Sequence, residues 1–573
     1  MQLNELSIFH PPGQLARPSN PFGKDIANAQ LYRGLLSHGG YKRIHILNQL
    51  GLTDEQLSQG LDPSGDSQCA ISGGSLMSTE IPARCGVLLR GQPYLSELAW
   101  IRRRASSDAA YSLVGLIHTI APPAIRESIG AAAIAPVHEW DALICTSPSV
   151  HQSMVQMFDS WSEHLSERLG ACRSPRPQLP IIPLAVDVEA IAENASNLQA
   201  RQRLRSKHAI AEDESLVLWV GRLSFYEKAF PQAMFQALQD ASVSSGQRVH
   251  FGLYGWFPGG EEDRKHYIEA ATTCAPDVNV IFWDGNDKDL LADCWAAADI
   301  FLSLVDNIQE TFGLTPVEAM AAGLPVVASD WDGYRATIRN GLDGFLIPTL
   351  AAPGSRLGGV MADLHALGLE TYQGYVGSVA QHTAVHVGRA AEALRLLITS
   401  PQMRAAMGAS AARRARECFS WPVVIAQYKE LFQELAARRE TAALNQAPRS
   451  RIAVHPLRGE PFADFVGFAT QVLRPRSSLR LRGELPGTGF DRVNQVALNR
   501  AFSRLHGTPE EARRILELLA AEPGLTAATL LQSFPPARAE FIILTIVWLA
   551  KLGLLDWLEA SPGSASIVQQ SGA

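Results

Sequence analysis

Two glutamates, Glu310 and Glu318, flank a tight loop in the stretch NIQETFGLTPVEAMAAGLPVVASDWDG, residues 307–333. Carboxylates accept hydrogen bonds from several hydroxyls in a defined geometry, so such a pair suits an oxygen-rich ligand. Thr315 to Glu318 read as a T-x-x-E capping box with Pro316 at the first helical position, and Gly323 stands where the helix needs a C-terminal cap. The backbone N–H groups around Phe312, Gly313 and Leu314 then face the same way as the helix N-terminus, whose partial positive charge favours phosphate. A plainer reading has Glu318 only capping its helix and Glu310 as a solvated loop acid. Upstream, LWVGRLSFYEKAF places Gly221 and Arg222 just after a strand and Lys228 near the next helix. A close backbone approach and two cations are what a diphosphate needs, although many strands also end in basic residues.

These residues must be held by a particular scaffold. ELSIFH, RIHIL, YSLVGLIH, ALICTS, SLVLWVG, VHFGLYG, NVIFW, DIFLSLV and LPVVAS read as buried strands, with amphipathic helices such as 25–38 and 229–241 between them. That alternation predicts parallel sheets covered by helices on both faces. The strands are too many for one sheet, and the Pro-rich segment CRSPRPQLPIIPLAVD (172–187) marks a boundary. The expectation is an α/β chain of two facing Rossmann-like, doubly wound domains, residues 1–180 and 181–418, with ligand crevices at the C-terminal ends of the strands. A helix over 419–440 packs back on this core, and 441–459 is a linker. Residues 460–560 form a mainly helical accessory module, winged-helix-like in outline.

At 573 residues the chain needs two to four domains. Its 46% hydrophobic and 19% charged residues describe a globular protein, and a net charge of −7 gives no global pull toward nucleic acid or anionic lipid. Seven scattered cysteines without CxxC or Cys/His ligand spacing point to a reducing compartment and away from a disulfide framework or structural zinc. The N-terminus lacks signal-peptide features, and the apolar run FIILTIVWLA is too short to span a bilayer. The expected location is the cytoplasm, with the inner membrane surface open as a site of peripheral association. Residues 451–573 carry 13 Lys and Arg against 11 Asp and Glu, and the helix that would read DNA is apolar. No nucleic-acid partner is expected; the module is read as docking, dimerising or holding an acceptor.

Taken together, VGRLSFYEK, ETFGLTPVEAMAAGLPVVASD and NGLDGFLIP resemble the donor-binding half of a retaining glycosyltransferase of family 4, with the GT-B fold. PIIPLAVD before that half and MGASAARRARECFSWPVVIAQY after it are also similar, so the resemblance covers most of residues 1–440. It implies that Glu318 holds ribose hydroxyls, Glu310 holds hydroxyls of the transferred sugar, and Arg222 and Lys228 grip the departing diphosphate. It also implies sugar or phosphate contacts from the amides of Phe312, Gly313 and Leu314. In the N-terminal half it points to Gly23, beside Lys24, in a loop closing over the diphosphate, and to His118 at a strand end beside the reacting sugar. An ordinary turn glycine and a structural histidine are the alternatives at those two positions.

The implied reaction moves a sugar, with retention, from a nucleotide-diphosphate sugar (UDP or GDP) to a glycan, lipid-linked or protein hydroxyl. The leaving diphosphate takes the acceptor proton, so no further cofactor is required. Asp330 and Asp332 in DWD resemble the metal-binding DxD of another glycosyltransferase fold, but here they read as loop acids, and no metal is expected. Many relatives carry Gly-x-Pro-Glu where this chain has DGYRAT, including Tyr334, Arg335 and Ala336. An insertion over 350–385 has no role readable from sequence. Two rival readings are an idle GT-B scaffold acting through its C-terminal module and a GT-B nucleotide-sugar epimerase. A homo-oligomer or protein partner through that module is the remaining expectation.

Overall fold

The computed structural model describes residues 4–10, 23–49, 51–65, 67–444, 452–483 and 489–558. The stretch preceding Gly23, read above as a closing loop, and the middle of the 441–459 segment lie outside them. The chain divides into two compact units, Met1–His455 and Pro456–Ala573.

The first unit holds two six-stranded sheets. One contains β1 (Glu5–His10), β2 (Arg43–Asn48), β3 (Ala70–Ser75), β4 (Val87–Arg90), β5 (Ser112–Leu116) and β6 (Ala142–Ile144). The other contains β7 (Ser215–Val220), β8 (Val249–Gly255), β9 (Asn279–Asp284), β10 (Ile300–Ser303), β11 (Val326–Ser329) and β12 (Gly344–Ile347). The orders are 3-2-1-4-5-6 and 9-8-7-10-11-12, so both sheets repeat one doubly wound pattern, all parallel. In each, the order reverses between the first and fourth strands, and the crevice there opens at the C-terminal strand ends. The strands of β7 and β8 are buried along their whole lengths, as a sheet covered on both faces requires.

Each sheet is anchored at the opposite end by a buried Arg–Asp pair. Arg102 and Asp141 are fully buried and bidentate at 2.7 and 2.9 Å, and Asp141 also accepts from the Leu113 N–H at 2.8 Å. Arg205 bonds Asp299 at 3.1 Å, and Asp299 accepts from the Leu216 N–H at 2.8 Å. These pairs fix where β5 and β7 begin, leaving their far ends for ligand chemistry. Helix Trp421–Leu444 lays Val424, Ile425, Tyr428, Leu431, Phe432 and Leu435 on the core of the first sheet. Trp421 packs directly on Gly34; a Cβ there would lie 2.3 Å from its ring.

One local expectation is corrected. The helix after Gly313 is Leu314–Ala321; it starts one residue before Thr315, and its N-cap is Gly313 with no side-chain cap bond. Thr315 therefore lies inside the first turn, and the T-x-x-E capping box does not form. The helix end is as expected. Gly323, at φ +78°, donates to Met320 O, and Leu324 donates to Ala319 O, both at 3.0 Å, satisfying the last carbonyls.

The second unit packs helices Pro509–Ala521, Ala527–Leu531 and Ala539–Lys551 with an antiparallel pair, β15 (Ser478–Leu481) and β16 (Leu555–Leu558). The first unit also holds one further antiparallel pair, β13 (Thr349–Ala351) with β14 (Thr383–Val385). The apolar helix Ala539–Lys551 buries Ile542, Ile546 and Leu549 in the module's own core.

Candidate donor-sugar site

Loops at the C-terminal ends of both sheets enclose a cavity of about 550 Å³. Gly23, His118, Gly221, Arg222, Lys228, Glu310, Phe312, Gly313, Leu314 and Glu318 all line it, so residues spread over almost three hundred positions converge. A larger cavity, about 850 Å³, lies in the second unit between β15, β16 and the apolar helix, with Arg474, Arg476 and Lys551 as its only charged lining. Among the described residues it brings together no opposed acids and bases, which makes the smaller cavity the candidate site.

The two cations are already paired. Arg222 donates to Glu227, with both side chains over nine-tenths buried, and Lys228 Nζ lies 3.0 Å from Glu310 Oε2. Burial raises the Glu310 carboxyl, but the Lys228 ammonium and two backbone N–H groups outweigh it and hold it below the usual range. Glu310 is thus an acceptor-only carboxylate at neutral pH. Glu318 projects from the second turn of its helix into the same space.

The loop bearing Glu310 is built around Asn307, which is fully buried. Its Oδ1 accepts from Gln309 N at 2.8 Å, its Nδ2 donates to Tyr226 O at 2.5 Å, and its carbonyl accepts from Trp331 Nε1 at 3.1 Å. One amide therefore joins the Glu310 loop to the Arg222–Lys228 loop. Tyr334 supports the loop. Its ring lies against Gly313 and its hydroxyl bonds Ser303 at 3.0 Å.

His118 sits in the cavity wall with Nε2 2.9 Å from Asn28 Oδ1; Asn28 in turn donates to Gly91 O at 3.0 Å. Burial lowers the imidazole pKa to about 4, so the ring is neutral at physiological pH and acts as a hydrogen-bonding group. The loops of the two sheets are tied directly. Thr311 Oγ1 donates to His118 O at 2.9 Å, and Thr146 Oγ1 donates to Thr311 O at 3.1 Å.

Several site features were not foreseen from sequence. Besides Gly221 after β7, which the sequence singles out, glycines also end the two neighbouring strands, Gly255 in β8 and Gly285 after β9, all in the cavity wall. A Cβ on Gly255 would lie 1.9 Å from Gly221 O, so the strands approach too closely for any side chain. The signal was present in WVGRL, LYGWF and WDGND, which share a glycine at the same strand position. Glu227, beside Lys228, and Asn307 carried no periodicity that would single them out.

The acids of DWD diverge. Asp330 pairs with Arg335 at 3.1 Å, whereas Asp332 accepts from Ser147 Oγ at 3.0 Å across the domain boundary. Burial pushes the Asp332 carboxyl up to about 7. Its folded-state pKa lies above its unfolded value, so the charged form opposes folding increasingly as pH rises from the ordinary aspartate range to about 7. Asp332→Asn keeps the shape and the acceptor and removes the charge; asparagine also tolerates the φ of +39°. The variant is expected to gain over wild type as pH rises from about 4 to about 7, by at least the ~1.4 kcal/mol that one pKa unit represents. Urea unfolding at pH 4 and pH 8 measures this, and a difference that does not change with pH would refute it.

The model of the family "Glycosyl transferases group 1" matches residues 200–352, the segment that supplies Gly221, Arg222, Lys228, Glu310 and Glu318. The D-inositol 3-phosphate glycosyltransferase of Corynebacterium efficiens is 25% identical over 67% of this chain and 78% of that protein. The protein of the same name from Xylanimonas cellulosilytica is 26% identical over 41% of this chain, a match spanning 54% of its own length. The crystal structure of Anabaena Alr3699/HepE in complex with UDP aligns at 15% identity over 75% of this chain and 100% of that chain, with a TM-score of 0.49. Residues 200–352 match the group 1 glycosyl transferases, and together with the two doubly wound six-stranded sheets this match supports a family-4-like glycosyltransferase of the GT-B fold.

Proposed function

We propose that the protein transfers a sugar, with retention of anomeric configuration, from a UDP- or GDP-sugar to an acceptor hydroxyl. The observation that carries this reading is the opposition, in one cavity, of Arg222 and Lys228 to Glu310 and Glu318. The pairs Arg222–Glu227 and Lys228–Glu310 hold the cations in position, and a diphosphate competes for them with two or more negative charges. Glu310 and Glu318 remain to accept hydroxyls of the sugar and the ribose.

In the reaction the bond from the anomeric carbon to the phosphate oxygen breaks, and one from that carbon to the acceptor oxygen forms on the same face. Arg222, Lys228 and the N-terminus of helix Leu314–Ala321 stabilise the charge growing on the leaving diphosphate, which takes the acceptor proton. These cations supply the neutralisation that a metal ion would otherwise provide. Neutral His118 hydrogen-bonds the sugar. Gly23 and Lys24 at the start of helix Gly23–His38 face the diphosphate from the other domain. The reaction is assigned to the cytoplasm, at or near the inner membrane surface. Residues 441–459 are assigned as a linker and 460–560 as an interaction module for a partner or a second copy.

The test is release of nucleoside diphosphate from a panel of UDP- and GDP-sugars, with and without candidate acceptors. Those acceptors include glycans, lipid-linked sugars and, because of the relatives' names, D-inositol 3-phosphate. Acceptor-dependent release with an α-configured product from an α-configured donor is expected by NMR. Conversion of the donor's sugar without any acceptor would establish an epimerase instead. Absence of any turnover in folded protein would overturn the enzyme reading.

A further inference from the structure

The family model ends at residue 352, yet the cavity wall does not. The segment running from β13 to β14 forms helices Arg356–Ala366 and Tyr372–Ala380. The first of these lies against helix Pro123–Gly130 of the other domain. The second begins in the cavity, where Tyr372 and Gln373 are lining residues, and rests on the Arg222–Lys228 loop, with Gly377 against Tyr226. The segment therefore crosses from the donor domain to the N-terminal domain over the mouth of the cleft.

Its two cavity residues reach all three loops of the site. The Tyr372 hydroxyl donates to Gln309 Oε1 at 2.8 Å, next to Glu310, and Tyr372 lines the cavity together with Thr119, next to His118. Gln373 Nε2 donates to Glu227 Oε1 at 3.3 Å, so it holds the free oxygen of the carboxylate that grips Arg222. Val376 and Ala380 are buried beneath, and Thr371 caps the helix by accepting from Gly374 N at 2.9 Å, which fixes the direction in which Tyr372 points. The phenol sits where loops of both domains line the cavity, and its rigid ring, with a hydroxyl that can donate and accept, suits it to hold those loops at one distance.

We propose that Tyr372 and Gln373 are positioning residues that strap the cleft closed, holding His118 and Glu310 at one separation so that the acceptor hydroxyl, rather than water, meets the reacting sugar carbon. The second half of this statement rests on the transfer reaction proposed above; the first half does not. A tie made by one phenolic hydroxyl can be removed without touching a ligand-binding group. Tyr372→Phe keeps the ring and its packing and deletes only the hydroxyl with its bond to Gln309. Gln373→Ala releases Glu227 alone.

Two measurements test the strap. The first is hydrogen exchange in nucleotide-free protein at the amides of residues 117–121 and 307–312. Loss of a bond worth about 0.5–1.5 kcal/mol should speed local exchange about three- to tenfold in Tyr372→Phe, with the melting temperature nearly unchanged. The second is the rate of UDP- or GDP-sugar hydrolysis relative to transfer, together with the dissociation constant of the matching nucleoside diphosphate. Hydrolysis relative to transfer should rise about three- to tenfold in both variants while nucleotide affinity stays within about twofold. Unchanged exchange at both loops overturns the strap. Faster exchange with an unchanged hydrolysis ratio overturns its role against water. Should wild type turn over no donor while Tyr372→Phe still speeds exchange, the strap stands and the transfer reading falls.

Discussion

Gly313→Ala is expected to lower the stability of the first unit by about 2–5 kcal/mol. Two independent effects add. At φ +86° a residue with a Cβ costs roughly 1–2 kcal/mol, because the left-handed region brings Cβ against the following carbonyl. That Cβ would also stand 2.0 Å from Cε1 of Tyr334, which is fully buried and bonded through its hydroxyl to Ser303. Overpacking at such a contact costs about 1–3 kcal/mol. The consequence reaches function, since Gly313 is the N-cap of helix Leu314–Ala321 and follows Glu310 by three residues. Urea unfolding measures the loss. Gly313→Ala/Tyr334→Ala should recover only if the clash dominates over the backbone conformation. A change within about 0.5 kcal/mol, the range of ordinary surface substitutions, would show that the loop does not need this glycine.

The second large effect concerns the two cations. Wild type in a nucleoside diphosphate at a hundred times its dissociation constant should gain about 2.7 kcal/mol of stability, and Arg222→Ala/Lys228→Ala should gain none. The single changes separate charge from geometry. Lys228→Ala and Arg222→Lys are each expected to reduce transfer about 10²–10³-fold, the range for losing one fixed charge-stabilising donor. Arg222→Ala is the less clean probe. It strands Glu227 in a buried position, and removing one partner of a buried pair costs about 3–5 kcal/mol by itself. Melting curves with UDP, GDP and their sugars, on variants first shown to be folded, decide the point. Full nucleotide stabilisation of the double variant would remove Arg222 and Lys228 from the site.

How much of this was readable in advance differs by residue. Strands with unbroken apolar runs, such as SLVLWV and VVAS, were read directly, because a strand buried on both faces needs no polar alternation. β3 and β4 were missed. AISGGS contains two glycines, and VLLR is four residues long, so neither carries a strand signal by composition. The capping box at Thr315 was misread because local pattern cannot say where a helix begins when a left-handed glycine already turns the chain. Tyr334, Asn307 and Glu227 act through partners distant in sequence, and a single sequence holds no record of such pairs.

The sequence by itself determined the periodicities, and with them two parallel α/β sheets and the placing of Glu310, Glu318, Arg222 and Lys228 near strand ends. These follow from local forces: strand propensity, helix capping and charge placed beside a turn. Only the tertiary structure decided which groups meet. It paired Lys228 with Glu310, drew His118 to within a hydrogen bond of the donor loop through Thr311, and brought Tyr372 from an unassigned insertion to that same loop. Those encounters depend on the shared strand order of both sheets and on the helix Trp421–Leu444, which returns the chain to the first sheet. Packing over hundreds of residues sets such distances, and no window of sequence contains them.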